Sequence, residues 1–403
     1  MVAVPSMDMA GTPSTTSDNA SMRGWVPVLM LFALSAALSA ADATAVAAPA
    51  AAPLASLGAL QHADGSYDDG VAAQEAGADH PQAGLCTGLM LLVFLCAGYD
   101  HHTESRHRAT VKRALDWMLR GQDQDGSFPG TIAAQAVQVW ALSEAYAMST
   151  DAALAAPCVR AVAALLHRRV RCGTSSQELA WADIDGRLST RSNALCLCAL
   201  RSARAAGLEQ ADSGLGAGRS WLEEVWTTAN PTLADARSGI GAFPSFVAAD
   251  RGPPAGDAAE LGWALTAALM AGEPRSQVIA QTLTRGLVSV PLPAGVPLDY
   301  AQAWLSALGL SATLDQPHWQ QWRGLLQQRL LDEQVPGGPW AGCWRPAPSA
   351  SAHEPALGPL SASACAMLAL EILSRRPAQP TAGSAPASGP GAAGEKPQGA
   401  DDF

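Results

Sequence analysis

The stretch Arg113-Ala114-Leu115-Asp116-Trp117-Met118-Leu119-Arg120-Gly121-Gln122-Asp123-Gln124-Asp125-Gly126-Ser127-Phe128 contains a helix end, a turn and an aromatic that closes over the turn. Ala114, Leu115, Met118 and Leu119 recur at helical spacing, while Arg113, Asp116 and Arg120 point away from that stripe. The pattern predicts an amphipathic helix with one face buried. Trp117 is expected between neighbouring hairpins. Gln122 ends the helix and Asp125-Gly126 reverses the chain, with glycine free to take positive φ. Phe128 then covers the next turn.

The same signature recurs along the chain. Leu57 to Tyr67 repeats it, with Gln61 and Gly65 each 61 residues before Gln122 and Gly126. A worn copy starts at Arg160, with Arg169 in the glutamine place and Gly173 in the glycine place. Gly241-Ala242-Phe243 follows a helix containing Trp221, and Gln334, Gly337-Gly338 and Gly342-Cys343-Trp344 make the last copy. Around these turns, amphipathic segments at about 51–62, 107–121, 157–170, 216–227, 275–289 and 317–333 alternate with strongly apolar ones at 85–98, 132–149, 189–207, 257–272, 299–312 and 360–376. A helix apolar on every side is buried on most sides. The sequence therefore predicts six outer and six inner helices in alternation. Only Val288 to Leu292 suggests a strand.

These copies resemble the repeat of squalene–hopene cyclases and protein prenyltransferase β-subunits, and the order of segments is similar to prenyltransferase/squalene-oxidase repeat proteins. The resemblance spans about 50–376. It implies an all-α fold, an (α/α)6 toroid whose inner helices line a central cavity. It also implies an apolar ligand, and in its catalytic branches either isoprenoid cyclisation or prenyl transfer.

The ends differ from this body. Residues 1–21 are polar and aperiodic, a disordered leader or a mis-assigned start. Residues 22–45 hold an apolar run from Trp25 to Ala41 followed by Ser39-Ala40-Ala41 and Ala43-Thr44-Ala45, which reads as a cleaved export signal or a membrane anchor. The domain proper is 50–376, and 377–403, rich in Pro, Ala, Gly and Ser, is a disordered tail. Export places the domain in the periplasm or outside the cell, free or tethered to the membrane through 25–41. With 48% hydrophobic residues, 15% charged and a net charge of −11, the chain has ample core and no basic face, which excludes a nucleic-acid partner. Of eight cysteines, Cys96, Cys196, Cys198 and Cys365 sit in apolar helical runs and read as buried thiols; export leaves one or two disulfides open.

The chemistry-bearing motifs are incomplete. A cyclase resembling the family needs an Asp-x-Asp-Asp acid, but Asp183-Ile184-Asp185 is followed by Gly186. A carboxylate pair two residues apart can be a raised-pKa acid or a solvated turn. Beside Arg187 and Arg191, Asp183 and Asp185 are expected to stay ionised. A prenyltransferase needs zinc on Asp, Cys and His; Asp299, Cys343 and His353 exist but not in that family's local patterns. His101-His102, with Asp100 and His107, is assigned to capping and solvation, so no metal and no cofactor is expected. An (α/α)6 glycosidase would need paired carboxylates across a cleft, which Asp183, Asp185 and Glu260 could supply. Polar residues at inner-helix starts, namely Gln135, Gln138, Arg191, Asn193, Glu260, Tyr300, Gln302 and Ser363, would ring one mouth of the toroid. The sequence alone thus favours binding of an apolar or peptide-like ligand at that mouth, with an isoprenoid-acting enzyme or a structural partner module as alternatives. Asp183, Asp185 and Glu260 are the catalytic candidates.

Overall fold

The computed structural model describes residues 48–69, 82–171, 178–183, 186–229, 246–248, 260–272, 278–289, 298–338, 340–346 and 357–375. Residues 1–47 and 376–403, and with them the export segment and the tail, lie outside the described residues. Among the described residues, no helix is long and apolar enough to cross a membrane.

Twelve helices alternate in role among the described residues. The outer ones are α1 (Ala48–Ala59), α3 (Arg108–Gly121), α5 (Ala152–His167), α7 (Ala211–Ala229), α9 (Val278–Ser289) and α11 (Gln316–Asp332). The inner ones are α2 (Ala83–Cys96), α4 (Ile132–Ser149), α6 (Thr190–Ala205), α8 (Leu261–Met270), α10 (Tyr300–Thr313) and α12 (Pro359–Ser374). Each inner helix packs on the next, α12 returns to α2, and α1 leans on α12, so the six hairpins close into the expected ring.

Sequence decides which helix goes where. Every residue of α8 is buried, whereas α3 buries Thr110, Val111, Ala114, Leu115 and Met118 and turns a Lys112–Asp116 ion pair outward. Inner helices approach closely where glycine faces a neighbour: a Cβ on Gly88 of α2 would lie 2.9 Å from Val137 of α4, and one on Gly262 of α8 would strike Ser306 of α10. At mid-ring, Trp140 of α4 and Trp304 of α10 stack at 5.2 Å between centroids. These helices are second and fifth of six, on opposite sides of the ring, so buried indoles fill its centre at that level.

The repeat signature is a device for joining one hairpin to the next. The Gln61 amide donates to Gly65 O of its own turn and to Thr110 O of α3, and Arg113 of α3 donates back to Gln61 Oε1. One repeat later, Gln122 donates to Gly126 O and to Pro157 O of α5, and Arg160 of α5 donates to Gln122 Oε1. Gly65 and Gly126 have φ of +101° and +92°, and a Cβ on either would collide with the carbonyl of Arg113 or Arg160. In the worn copy Arg169 donates to Ser213 O of α7 and keeps the bridging role; Gly173 lies outside the described residues.

Two local expectations need correction. Trp117 is half-buried and packs on the core's edge, because the helix turns its tightest contact, Met118, inward instead. Val288 and Ser289, the first two residues of the expected strand, end α9, and 290–292 lie outside the described residues. The strands lie elsewhere, as two short antiparallel pairs. One pairs β1 (Arg169–Arg171) with β2 (Glu178–Trp181); the other pairs β3 (Arg187–Ser189) with β4 (Phe246–Ala248). Each strand is three or four residues long, too short for alternation to register.

Candidate functional site at the inner-helix mouth

The N-termini of the inner helices share one end of the ring, and three of them meet in a charged cluster. Arg191, in the first turn of α6, donates from Nε to both carboxylate oxygens of Glu260 at 3.1 and 3.3 Å, and its NH2 lies 3.0 Å from Glu260 Oε1. Its NH1 lies 3.1 Å from Asp299 Oδ2. Glu260 and Asp299 occupy the residue before α8 and the residue before α10, and Asp299 Oδ1 also caps α10 through Gln302 N. Trp263 lies beneath the guanidinium, 5.4 Å from its ring centre to Arg191 Cζ, a cation–π contact. Exposure grades outward: Glu260 is 3% exposed, Arg191 19% and Asp299 33%. A planar guanidinium is the side chain suited to hold two carboxylates in fixed directions.

Other polar residues from the inner helices have a different occupation. Phe128 N donates to Gln135 Oε1, while Asn193 accepts from Trp181 N and donates to Trp181 O. Ser363 accepts from Trp344 N, and Thr87 from Tyr67 N. In four repeats, then, an inner-helix side chain clamps the backbone of the turn aromatic, satisfying groups that burial would leave unpaired. Gln135 and Asn193 serve turns, and Gln135 Nε2 is left buried without a partner. Gln138 is buried against Gly84 and donates to Ala134 O. Tyr300 donates to Glu333 Oε2 at 2.8 Å; burial and that carboxylate push its phenol above the ordinary range. Gln302 is half-buried beside Asp299.

Asp183 accepts from Ser192 Oγ at 3.1 Å and opens the 183–187 turn, beside the start of α6. Asp185 lies outside the described residues, as does His353. Arg191, expected beside Asp183 and Asp185, binds Glu260 and Asp299. Of the predicted residues, the structure therefore brings together Arg191 and Glu260, and adds Asp299 and Trp263. Asp299 was legible as the acid before an inner helix, the same place as Glu260. Another buried carboxylate lies further along the ring: Glu144, from the far half of α4, accepts from Trp140 Nε1 at 3.2 Å. Burial pushes its pKa up to about 7 against the lowering effect of the bond from Trp140 and of the nearby Ser202.

No family profile matches the chain, and no curated protein matches it. Solved structures do. One is an inactive variant of the alpha-1,6-mannanase of Salegentibacter sp. HEL1_6, a glycoside hydrolase of family 76 with two consecutive aspartates replaced, in complex with alpha-1,6-mannotriose. It is 12% identical, with a TM-score of 0.54 over 82% of this chain and 99% of that one. A family 76 mannosidase of Bacteroides thetaiotaomicron is 10% identical, with a TM-score of 0.54 over 82% and 98%. A D-mannose isomerase is 12% identical, with a TM-score of 0.53 over 80% and 96%. What is shared is the toroid.

These neighbours correct the family reading. The chain is similar to sugar-processing toroids, not to squalene cyclases or prenyltransferases, and the expectation of an isoprenoid, apolar or peptide-like ligand falls with it. The physical reason is in the repeat itself. Its glutamine, glycine and aromatic join helical hairpins and carry no information about what the ring holds. The Trp140–Trp304 stack fills the ring where an isoprenoid chain would have to lie.

Proposed function

We propose that this toroid is a carbohydrate-active protein of the glycoside-hydrolase kind, acting on an oligosaccharide at the inner-helix mouth. The observation that carries the reading is the Arg191–Glu260–Asp299 cluster. Two carboxylates on one guanidinium stand within roughly the 5–10 Å at which glycosidase pairs work. Arg191 sets one positive charge between the two carboxylates. Asp299, a third exposed, is placed to attack a sugar carbon or activate water. Glu260, with Asp183 and Asp185 from the loop before α6, supplies the candidates for its partner. The mannotriose-bound neighbour supports a saccharide as the ligand class. Its inactive variants lack two consecutive aspartates; here Asp68-Asp69 is such a pair, but Asp69 is buried with both oxygens on Ser361, whereas Asp299 is a third exposed, so the catalytic part is given to Asp299.

The test is incubation of the purified chain with alpha-1,6-mannotriose and a panel of α- and β-linked oligosaccharides. Release of reducing ends is followed by chromatography, and binding by ligand-observed NMR. Turnover that falls at least ~100-fold in Asp299→Asn, with an unchanged circular dichroism spectrum, supports the assignment. Absence of both turnover and saturable binding across the panel overturns it. Conversion of free mannose to a ketose would redirect it to isomerisation. We also assign residues 22–45 to export of the toroid; N-terminal sequencing of protein from its native host checks this, and recovery of an unprocessed cytoplasmic chain would refute it.

A further inference from the structure

The end of the ring opposite the mouth carries a second cluster that the proposed function does not use. Consecutive side chains ordinarily diverge, yet the rings of His101 and His102 converge, with centroids 4.3 Å apart. Both present Nε2 to one atom: His101 Nε2 lies 3.1 Å and His102 Nε2 3.3 Å from Asp151 Oδ2. All three candidate ligand atoms lie within 4.8 Å of one another. Asp100 and His107, the neighbours that sequence suggested, are elsewhere engaged. Asp100 accepts from His102 N and Thr103 N, and His107 packs edge-on to Tyr99. The third ligand comes instead from Asp151, 50 residues away, on the residue before α5.

We propose that His101, His102 and Asp151 form a site for a divalent transition-metal ion of the zinc class. Zinc binds imidazole nitrogen at ~2.0–2.1 Å and carboxylate oxygen at ~2.0–2.2 Å in tetrahedral array. Ligand atoms around such an ion stand ~3.3–3.5 Å apart. The 3.1 and 3.3 Å separations need only slight opening to admit it. The carboxylate is prepared for the role. Its other oxygen accepts from Ala153 N, which fixes its direction at the start of α5. The loop is prepared as well, since Asp100 ties it down and Arg108 Nε donates to His101 O. His101 is 10% exposed and His102 55%, so one ligand is fixed from inside while the ion enters from solvent. The fourth position falls to water. His101 Nδ1 is buried without an acceptor, and supplies no second bond to stiffen the ring, which puts the site at the weaker end of its class. Bound there, the ion would staple the loop after α2 to the start of α5 on the rim away from the charged mouth, and its part is structural.

The test uses the full chain, stripped with chelator and kept reduced. Titration with Zn²⁺ by calorimetry should show one saturable ion per chain and a rise in thermal midpoint. His102→Ala, a half-exposed position, should weaken binding at least ~10-fold, while His318→Ala, which removes the exposed His318–Asp315 pair, should not. Titration with Co²⁺ should give visible bands of nitrogen and oxygen ligation. Binding unchanged in His102→Ala, no stoichiometric binding, or a thiolate-to-cobalt charge-transfer band pointing to the cysteines would each overturn the proposal. Saccharide turnover measured on the stripped protein separates this result from the fate of the mouth.

Discussion

Gly126→Ala tests the reasoning that made the repeat legible. The residue has φ of +92°, and a Cβ there would run into the carbonyl oxygen and carbon of Arg160 and lie 2.7 Å from its Cβ. Two costs add. Left-handed backbone on a residue with a side chain costs about 1–2 kcal/mol. Forcing an atom into a packed contact costs about 1–3 kcal/mol more, and here backbone, which cannot swing aside, stands in the way. The sum is about 2–5 kcal/mol, or a fall of roughly 3–7 °C in thermal midpoint for a chain of this size. Gly98→Ala is the matched control. It shares the positive φ, +85°, but has nothing within 4 Å of the added carbon. It should lose only the conformational part. Scanning calorimetry of both variants against wild type reads the difference directly. If Gly126→Ala is no worse than Gly98→Ala, the turn does not press on α5, and the account of how successive hairpins are joined is wrong.

Three further outcomes follow from the charged side chains. Glu144 has its folded pKa raised to about 7 from an ordinary 4.5, so the folded state takes up a proton more readily than the unfolded one; the stability this gives is fully present below pH 4.5 and is lost as pH rises through 7, about 3 kcal/mol in all. Thermal midpoints measured from pH 4.5 to 8 should fall steadily in wild type and flatten in Glu144→Gln, and identical slopes would remove Glu144 from the explanation. Arg191→Met takes the cation from a carboxylate that is 3% exposed and should cost about 3–5 kcal/mol, most of it recovered by adding Glu260→Gln. Asp299→Asn, at a site a third exposed, should cost under about 1 kcal/mol, because asparagine still caps α10; urea melts of the four proteins check the ranking.

The fold was legible because its signals are local. Val111, Ala114, Leu115 and Met118 mark an outer helix within three turns, and Gln122 and Gly126 sit four residues apart in the chain as in space. The worn third repeat was harder, since its clamped aromatic, Trp181, comes after a β-hairpin and not after a glycine. The site was half legible. Arg191 and Glu260 announce themselves as charges on apolar helices, but nothing in the chain says that residues 69 apart will share a bond. Gln135 and Asn193 look like cavity-lining groups for the same reason they make good clamps: an amide offers a donor and an acceptor together. The ligand class was not legible at all. A joint between hairpins belongs to the scaffold, whatever the scaffold carries.

The ring has one joint unlike the others. α12 closes on α2, fastened by Asp69 to Ser361 across 292 positions of chain and by Arg375 to Cys96 O across 279. During synthesis every other hairpin can dock on the one before it as it emerges, but this joint waits for the last helix. Until then the nascent arc displays two oily edges, the free flank of α2 and that of the newest inner helix, each ready to meet the same edge of another copy. Ring completion is therefore the step at which folding and aggregation compete. A circularly permuted gene, with its ends moved to the α3–α4 turn and the old ends linked, would move the last joint to a different pair of helices and with it the chain's exposure to misassembly.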